Sequence, residues 1–267
     1  MRRTQVRDAL VLRRSPLPSG DVVATLLSPD GIWRAVVRKG RLPGGNLARL
    51  SLFHDVTVQY WRCGDDDLAL VTQVRLNGAL SGLTRPEAYP YAHLLAELAA
   101  ALTADHPVGE RWYALVASGL RGLNVHDDPE AVALAYAWRL IATAGLAPTV
   151  DGCARCGAPP DRLAVADGTA RCAEHGDPHG SDAYVGEGGM RDLGRLVSGS
   201  LGDAVAAPPS DRPPQWRLLR RYVEWHVGTV RALEALLRPG AEGRAVAAPR
   251  PVPGTPADPA PPEPTPC

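Results

Sequence analysis

Three cysteines and one histidine form two closely spaced pairs in the middle of the chain. They follow the pattern C-x₂-C-x₁₅-C-x₂-H and are Cys153, Cys156, Cys172 and His175. Two residues between ligands let both side chains of a tight turn reach one ion, and zinc takes Cys₃His sets in tetrahedral structural sites. The pattern therefore predicts one structural Zn²⁺ that organises a module over residues 150–180. His179 is an alternative fourth ligand.

This motif also restricts the class of function. Four protein ligands complete the coordination of zinc and leave no open position for a substrate, so a structural role is favoured over a catalytic one. The zinc deaminase pattern is absent, because Gly152 rather than proline precedes Cys153. No apolar run reaches the length that spans a bilayer, and the apolar segment after Arg2 and Arg3 is too short for a signal peptide. In a reducing compartment, free cysteines are more often metal ligands than disulfides. We therefore expect a cytoplasmic protein without a membrane partner.

Charge is distributed unevenly along the 267 residues, although the formal net charge is zero. The first fifty residues hold ten cations and three acids, a net charge of +7. Such an asymmetry favours a polyanionic partner for the N-terminal part. Lys39 is the only lysine, and this preference for arginine is typical of a GC-rich genome. The arginine content is therefore not by itself evidence of bidentate recognition.

Residues 20–45 have the pattern of a β-hairpin that runs into a basic, glycine-rich loop. Asp30 with the glycine after it is a strong hairpin turn signal. Side chains alternate along the second strand, so Arg34 and Arg38 share one face, and Lys39 and Arg41 lie just beyond. Four cations within eight residues, with no acid over 31–54, favour phosphate binding over an ordinary solvated strand face.

Residues 1–80 as a whole are expected to be all-β. Alternation predicts strands over residues 9–13, 21–27, 32–38, 55–62 and 68–76. Five short strands suit a small closed barrel, for which an OB fold is the natural candidate and an SH3-like barrel fits almost as well. Trp33, Tyr60 and Trp61 are candidates for stacking on bases, but for Trp33 we favour the barrel core.

Residues 81–238 change to helical spacing. Thr84 and Glu87 match a capping box, and Pro90 should kink or restart that helix near its first turn. Helices are expected over residues 92–102, 109–123 and 128–145. The third is apolar on nearly all sides, so we expect it to be buried at the centre of a helical domain.

The C-terminal part combines one more helix with a proline-rich tail. An apolar stripe at helical spacing runs from Trp216 to Leu237 and predicts a closing helix. Its arginines, Arg217, Arg220 and Arg221, are more simply a solvated face than a second phosphate surface. Residues 239–267 contain ten prolines and no apolar face, so a disordered tail is predicted.

The order of these parts resembles the RecO family of bacterial DNA repair and recombination mediators, including its GC-rich members of the Deinococcus type. The resemblance extends over residues 1–238 and depends on local motifs as well as on their order. The motifs are A-L-V-L-R-R at 9–14, S-G-D-V-V-A-T-L-L-S-P-D-G at 19–31, A-V-V-R-K-G at 35–40, L-A-R-L-S-L-F-H-D-V at 47–56, C-A-R-C-G at 153–157 and L-R-R-Y-V-E-W-H-V-G at 219–228. His175 departs from the fourth cysteine that zinc-bearing members usually have.

The resemblance implies an α+β multidomain protein with an N-terminal five-stranded OB-fold barrel and a helical domain that carries an inserted zinc module. It implies a non-enzymatic mediator that binds single- and double-stranded DNA and anneals complementary strands. With RecR it would help to load RecA on DNA coated by single-stranded-DNA-binding protein (SSB), in the nucleoid and without a small-molecule substrate. The candidate DNA-binding residues are Arg13, Arg14, Arg34, Arg38, Lys39 and Arg41.

Two other classes of function remain open from the sequence. One is a zinc-dependent enzyme that acts on nucleic acid, which an open metal position or metal-dependent turnover would reveal. The other is a zinc-ribbon transcription or translation factor, which would prefer RNA or one promoter sequence.

Overall fold

The structure is a computed structural model that describes residues 4–38, 46, 49–62, 68–103, 109–177, 180 and 182–238. Five strands come first, rich in the β-branched and aliphatic residues that fit a half-buried pleated surface. They are β1 (Gln5–Pro16), β2 (Val22–Ser28), β3 (Gly31–Val37), β4 (Asp55–Trp61) and β5 (Ala69–Gly78). All five strands predicted from alternation are present, and β1 is the most extended relative to its prediction.

The strands close into a barrel in the order β1-β2-β3-β5-β4. β1 pairs antiparallel with both β2 and β4, whereas β3 pairs in parallel with β5, with Ala35 opposite Ala69. A simple meander would pair β3 with β4, so the parallel closure distinguishes this barrel from an up-and-down one. The order agrees with the five-stranded OB-fold barrel expected from the sequence.

Aromatic rings fill part of the barrel interior. Trp33 and Tyr60 are 7% and 1% exposed, and their ring centroids lie 4.6 Å apart. Trp33 therefore belongs to the core, as favoured from its strand position. On the other face of the same strands, Leu10, Leu27 and Ile32 form a row that packs against the helices. One side of the barrel is thus buried against the helical part.

Three helices follow a 3₁₀ turn at Ser81–Thr84. They are α1 (Tyr89–Leu102), α2 (Glu110–Val125) and α3 (Pro129–Thr143). Leu134 and Trp138 of α3 are fully buried, which confirms the expected central helix. Asp128 caps α3 by accepting a hydrogen bond from the Ala131 N–H at 3.0 Å, and Pro129 occupies the first helical position, where no N–H is needed.

The capping box expected at Thr84 does not form. The Thr84 hydroxyl donates to the Ser81 carbonyl at 2.7 Å within the 3₁₀ turn, and α1 begins only at Tyr89. Pro90 lies in the first turn of α1, because a proline further along would lack a required N–H. The predicted restart at Pro90 therefore occurs, but Thr84 lies outside the helix.

The remaining helices are α4 (Gly186–Ser198), α5 (Leu201–Ala206), α6 (Arg212–His226) and α7 (Arg231–Leu236). The prediction of a single closing helix through Leu237 is wrong, because the helix ends at His226 and a second one begins at Arg231. Gly228 has a φ of 99°, a left-handed conformation that ends helices. None of the helices in the described residues is long and apolar enough to cross a membrane.

A small sheet lies between α3 and α4 in the chain. Its centre is β6 (Arg162–Ala164), which pairs antiparallel with β7 (Thr169–Arg171) and with β8 (Asp182–Tyr184). Leu163 and Ala170 are fully buried and join the helical core, which anchors the sheet. The tail predicted to be disordered, residues 239–267, lies outside the described residues.

Candidate nucleic-acid interface and metal centre

Two candidate DNA-binding arginines lie in one row across three strands. The strand register places Arg13 of β1 opposite Thr25 of β2, and Thr25 opposite Arg34 of β3. Neighbouring strands are about 4.8 Å apart, so the backbones of the two arginines are separated by about 10 Å. Both arginine side chains are exposed. We call Arg13, Thr25 and Arg34 the basic row.

A β-bulge places Arg13 in the basic row. The pairing of β1 with β2 is regular as far as Val11, but the next pair joins Arg13 to Thr25, so Leu12 is an extra residue. With strict alternation Arg13 would share the inward face with Val11, which is fully buried. The bulge therefore changes the face on which Arg13 lies and brings it beside Arg34.

Arg14 lies on the face of β1 opposite to that of Arg13. It pairs with Ala24, which is fully buried, and it is itself half-buried rather than exposed. Burial is the larger cause of the lowered pKa of His54, and the charge of Arg14 lowers that pKa further. Arg14 is therefore close to His54 and separate from the basic row, so the six candidates do not form one continuous face.

Arg38 follows the last residue of β3 and is exposed. Lys39 and Arg41, which complete the predicted cluster, lie outside the described residues. Arg34 and Arg38 are thus both accessible, at the middle and at the end of the same strand.

The cations of the basic row are available for an external anion. Within the part of the chain that the structure describes, Arg13, Arg34 and Arg38 form no ion pair, whereas Arg7 pairs with Asp30 at 3.3 Å. Arg220 of α6 differs, because its guanidinium contacts the carboxylates of Glu224 and Glu234. This pairing removes Arg220 from the alternative phosphate surface considered for the closing helix.

The four candidate metal ligands converge, with all their ligand atoms within 4.8 Å of one another. The Cys156 and Cys172 sulfurs are 3.8 Å apart, and Nδ1 of His175 lies 3.3 Å from the Cys172 sulfur and 3.9 Å from the Cys153 sulfur. Tetrahedral zinc separates two sulfur ligands by about 3.8 Å and a sulfur from a nitrogen by about 3.6 Å. The donor set fits that geometry. His179, the alternative ligand, lies outside the described residues.

Backbone hydrogen bonds form the two turns that present these ligands. The Gly157 N–H donates to the Cys153 carbonyl, and the Gly176 N–H donates to the Cys172 carbonyl, both at 2.8 Å. Gly157 has a φ of 77°, a conformation that glycine adopts without strain. The Ala154 N–H donates to the carbonyl of Ala170 in β7 at 2.9 Å. The first turn is therefore fixed against the strand that leads into the second turn.

The environment of Cys153 favours its thiolate. Burial tends to raise the pKa of the Cys153 thiol, but hydrogen bonds from the backbones of Arg155, Cys172 and Cys156 lower it to about 6. Thiolate is the form of cysteine that binds metal. The hydrogen bond from the Ala158 backbone lowers the pKa of the Cys156 thiol, but burial and the contacts with Cys153 and Cys172 outweigh it, so that this pKa is raised instead. The cluster therefore has the spacing that a structural zinc requires, and Cys153 is the ligand whose ionisation the protein favours.

Two exposed aromatics are missing from the residues predicted to form a site. Tyr184 of β8 is 68% exposed and Trp225 of α6 is 63% exposed. Trp225 has a signal in the sequence, because it lies one and two helical turns after Arg221 and Arg217, on the polar side of α6. Tyr184 lies in a three-residue strand, which is too short to show any periodicity.

Comparisons with known proteins agree with this architecture. A family model described as "Recombination protein O C terminal" matches residues 83–233, which extend from within the 3₁₀ turn to the first turn of α7. The match therefore includes the helices and the whole metal module, and it begins after the barrel.

Curated relatives match a larger share of the chain than the family model does. The chain is similar to the DNA repair protein RecO of Anaeromyxobacter sp. (strain K), with 33% identity over 234 residues, 82% of this chain and 90% of the relative. It is 31% identical to the protein of the same name from Frankia casuarinae, over 86% of this chain and 95% of the relative. For the Streptomyces coelicolor protein the identity is 32%, over 82% and 93%.

Proposed function

The chain belongs to the RecO family of DNA repair proteins, and on that premise we propose that it is a non-enzymatic, DNA-binding recombination mediator. The observation that carries the DNA-binding part is the basic row. Arg13 and Arg34 flank Thr25 on an exposed barrel face, and within the described residues neither is neutralised by an acid. Arg38 extends the proposed surface to the end of β3, and Lys39 and Arg41, which lie outside the described residues, are included in the proposal from the sequence alone.

Phosphate neutralisation is the physical basis of this binding. Each cation that contacts a phosphate releases condensed counterions, which favours association whatever the base sequence. A surface that acts in this way binds single- and double-stranded DNA alike. Because it also screens the repulsion between two phosphate backbones, it lets complementary strands approach and anneal.

The metal centre supports a mediator rather than an enzyme. Cys153, Cys156, Cys172 and His175 would hold zinc through four protein ligands, and zinc supplies folding energy in such closed sites. We therefore propose that the metal stabilises the 150–180 module within a helical domain over residues 81–238. The barrel, residues 1–80, would carry the DNA, and residues 239–267 would be a tail outside both domains.

The family resemblance supplies the protein partners. We expect the chain to act with RecR, and to place RecA on single-stranded DNA that SSB has coated. One side of the barrel is covered by α1 and α2, so a protein that binds the barrel must contact one of its other sides.

Equilibrium titration tests this proposal. Single-stranded DNA, duplex DNA and RNA of equal length are titrated with the full chain over a range of salt concentrations. We expect binding to both forms of DNA, with a log–log salt slope of about −0.7 per phosphate contact on single strands and about −0.9 on duplex. Acceleration of strand annealing should disappear at the same salt concentration as binding. Exclusive binding of RNA, or binding to one DNA sequence only, would contradict the proposal.

A further inference from the structure

All the aromatic residues of the chain lie within the described residues, and only two of them are exposed. Tyr184 and Trp225 have relative exposures of 68% and 63%, whereas the rings of the barrel are buried or half-buried. A single exposed apolar side chain is ordinary, whereas exposed apolar groups that lie together commonly mark a binding surface.

The two exposed aromatics are accompanied by two arginines. Arg217, Arg221 and Trp225 follow one another at intervals of four residues on α6, so their side chains form one stripe on its surface, and all three are exposed. Tyr184 joins this stripe from β8, because Tyr184, Arg217 and Arg221 line one shallow pocket. We call Tyr184, Arg217, Arg221 and Trp225 the aromatic platform.

Local charge makes the platform basic. Asp161 forms an ion pair with Arg162 at 2.9 Å, and Glu224 of α6 forms one with Arg220 at 2.9 Å. These acids are therefore compensated by cations outside the platform. Arg217 has no ion-pair partner within the described part of the chain. Arg221 is exposed and donates to the Asp182 main-chain carbonyl at 3.2 Å.

The Tyr184 ring and the part of α6 that carries Trp225 are held in place. The Arg162 guanidinium lies 5.6 Å from the centre of the Tyr184 ring, a cation–π contact that restrains the ring. The residues on either side of Trp225 in α6 are anchored, since the Tyr222 hydroxyl donates to the Leu146 carbonyl and Nε2 of His226 lies 2.8 Å from the Val165 carbonyl oxygen. A ligand that stacks here does not have to order these groups first.

We propose that the aromatic platform is a second DNA-binding surface, specific for single strands. Bases would stack on Tyr184 and Trp225, and Arg217 and Arg221 would contact the backbone phosphates, the combination by which proteins bind single strands without sequence preference. The bases of a duplex are already stacked on one another, so only unpaired strands can use the rings. This inference rests on the proposed DNA-binding function and divides it between two surfaces.

The two surfaces have different chemistry. The basic row offers cations on a face whose aromatic neighbours are buried, so it binds backbone of either form. The aromatic platform, on β8 and α6, adds base stacking and so discriminates single strands from duplex. One chain would then hold a single strand at the platform while a second strand or a duplex occupies the barrel, which brings two strands together for annealing.

The test compares single-stranded and hairpin duplex DNA bound to the full chain and to Tyr184→Ala and Trp225→Ala variants. Loss of one stacked base weakens binding about tenfold. We expect each variant to lose about that much affinity for single strands, to keep the parent affinity for duplex and to keep the parent salt slope. Trp225→Phe should recover most of the loss. Val125→Ala, at a residue of α2 that is 74% exposed, is the matched control and should bind as the parent does.

Three outcomes would overturn the inference in distinguishable ways. If both alanine variants bind single strands as tightly as the parent, the platform does not bind DNA, while the proposed function stands. If the variants bind as the parent does but convert a dimeric parent to a monomer in sedimentation, the platform is instead an interface between copies of the chain. If the parent binds neither form of DNA, the proposed function fails as well.

Discussion

Asp128 and Arg212 join the start of α3 to the start of α6. One Asp128 oxygen accepts the Ala131 N–H at 3.0 Å as the helix cap, and the same carboxylate accepts hydrogen bonds from the Arg212 guanidinium. Arg212 also donates to Glu130 at 2.8 Å, and Glu130 accepts the Trp216 indole N–H at 2.7 Å. Two helices that are far apart in the sequence are thereby fixed on each other.

Removing this cap should destabilise the helical part. We expect Asp128→Ala to lower the free energy of unfolding by about 1–2 kcal/mol at pH 7, because α3 loses its cap and Arg212 loses a partner. Asp128→Asn should lose less, since its side-chain oxygen still accepts the Ala131 N–H. Urea unfolding followed by circular dichroism measures both, and equal stability of the parent and Asp128→Ala would contradict the expectation.

The same contact predicts a dependence on pH. Burial alone would raise the pKa of Asp128, but the hydrogen bonds from Arg212 and Ala131 lower it below its ordinary value of 3.8. A lowered folded-state pKa means that the contribution of Asp128 is complete well above pH 3.8 and is lost as the pH falls through the folded value. The stability difference between the parent and Asp128→Asn should therefore shrink in acid. A difference that stays constant down to pH 2 would contradict this.

Charge reversal in the basic row should weaken binding to every DNA sequence alike. Arg13→Glu combined with Arg34→Glu removes two phosphate contacts, so the log–log salt slope on single strands should become shallower by about 1.4. Annealing should fail with it. Arg121→Glu, at an exposed arginine of α2, is the matched control and should keep the parent slope. A double variant with the parent affinity and slope would place the DNA surface elsewhere.

Zinc should be bound at one ion per chain in freshly purified protein. Cys153→Ser should reduce the metal content and the melting temperature more than it reduces DNA affinity, because the metal stabilises the fold and the basic row lies on the barrel. His175→Cys should keep the zinc, since a fourth thiolate suits the same geometry, whereas His175→Ala should lose much of it. Elemental analysis with well under one zinc per chain in the parent would contradict the assignment.

Removal of residues 239–267 should have little effect on folding or on DNA binding. The segment has ten prolines and no apolar face with which to dock on the remaining chain. Thermal unfolding and the titrations above compare the full chain with the truncated one. A fall of many degrees in melting temperature would show that the tail packs on the folded part.

The sequence alone predicts the features that depend on neighbouring residues in the chain. Alternation predicts the five strands, and the Asp128-Pro129 start predicts α3. The spacing of Cys153, Cys156, Cys172 and His175 predicts a metal cluster, because short turns bring ligands together whatever the surrounding fold. Where local signals conflict, as at Thr84 and Pro90, the proline decides, since a missing N–H costs more than a missing cap.

Tertiary structure decides the arrangements that depend on distant partners. The row of Arg13, Thr25 and Arg34 exists because three strands pair in one register, and the bulge at Leu12 reverses the face that alternation would assign to Arg13. Arg220 is neutralised by Glu234 because Gly228 ends α6 and lets α7 fold back. Tyr184 and Arg217 line one pocket only because β8 packs on α6. Such contacts join residues whose separation along the chain carries no periodic signal, so packing alone determines them.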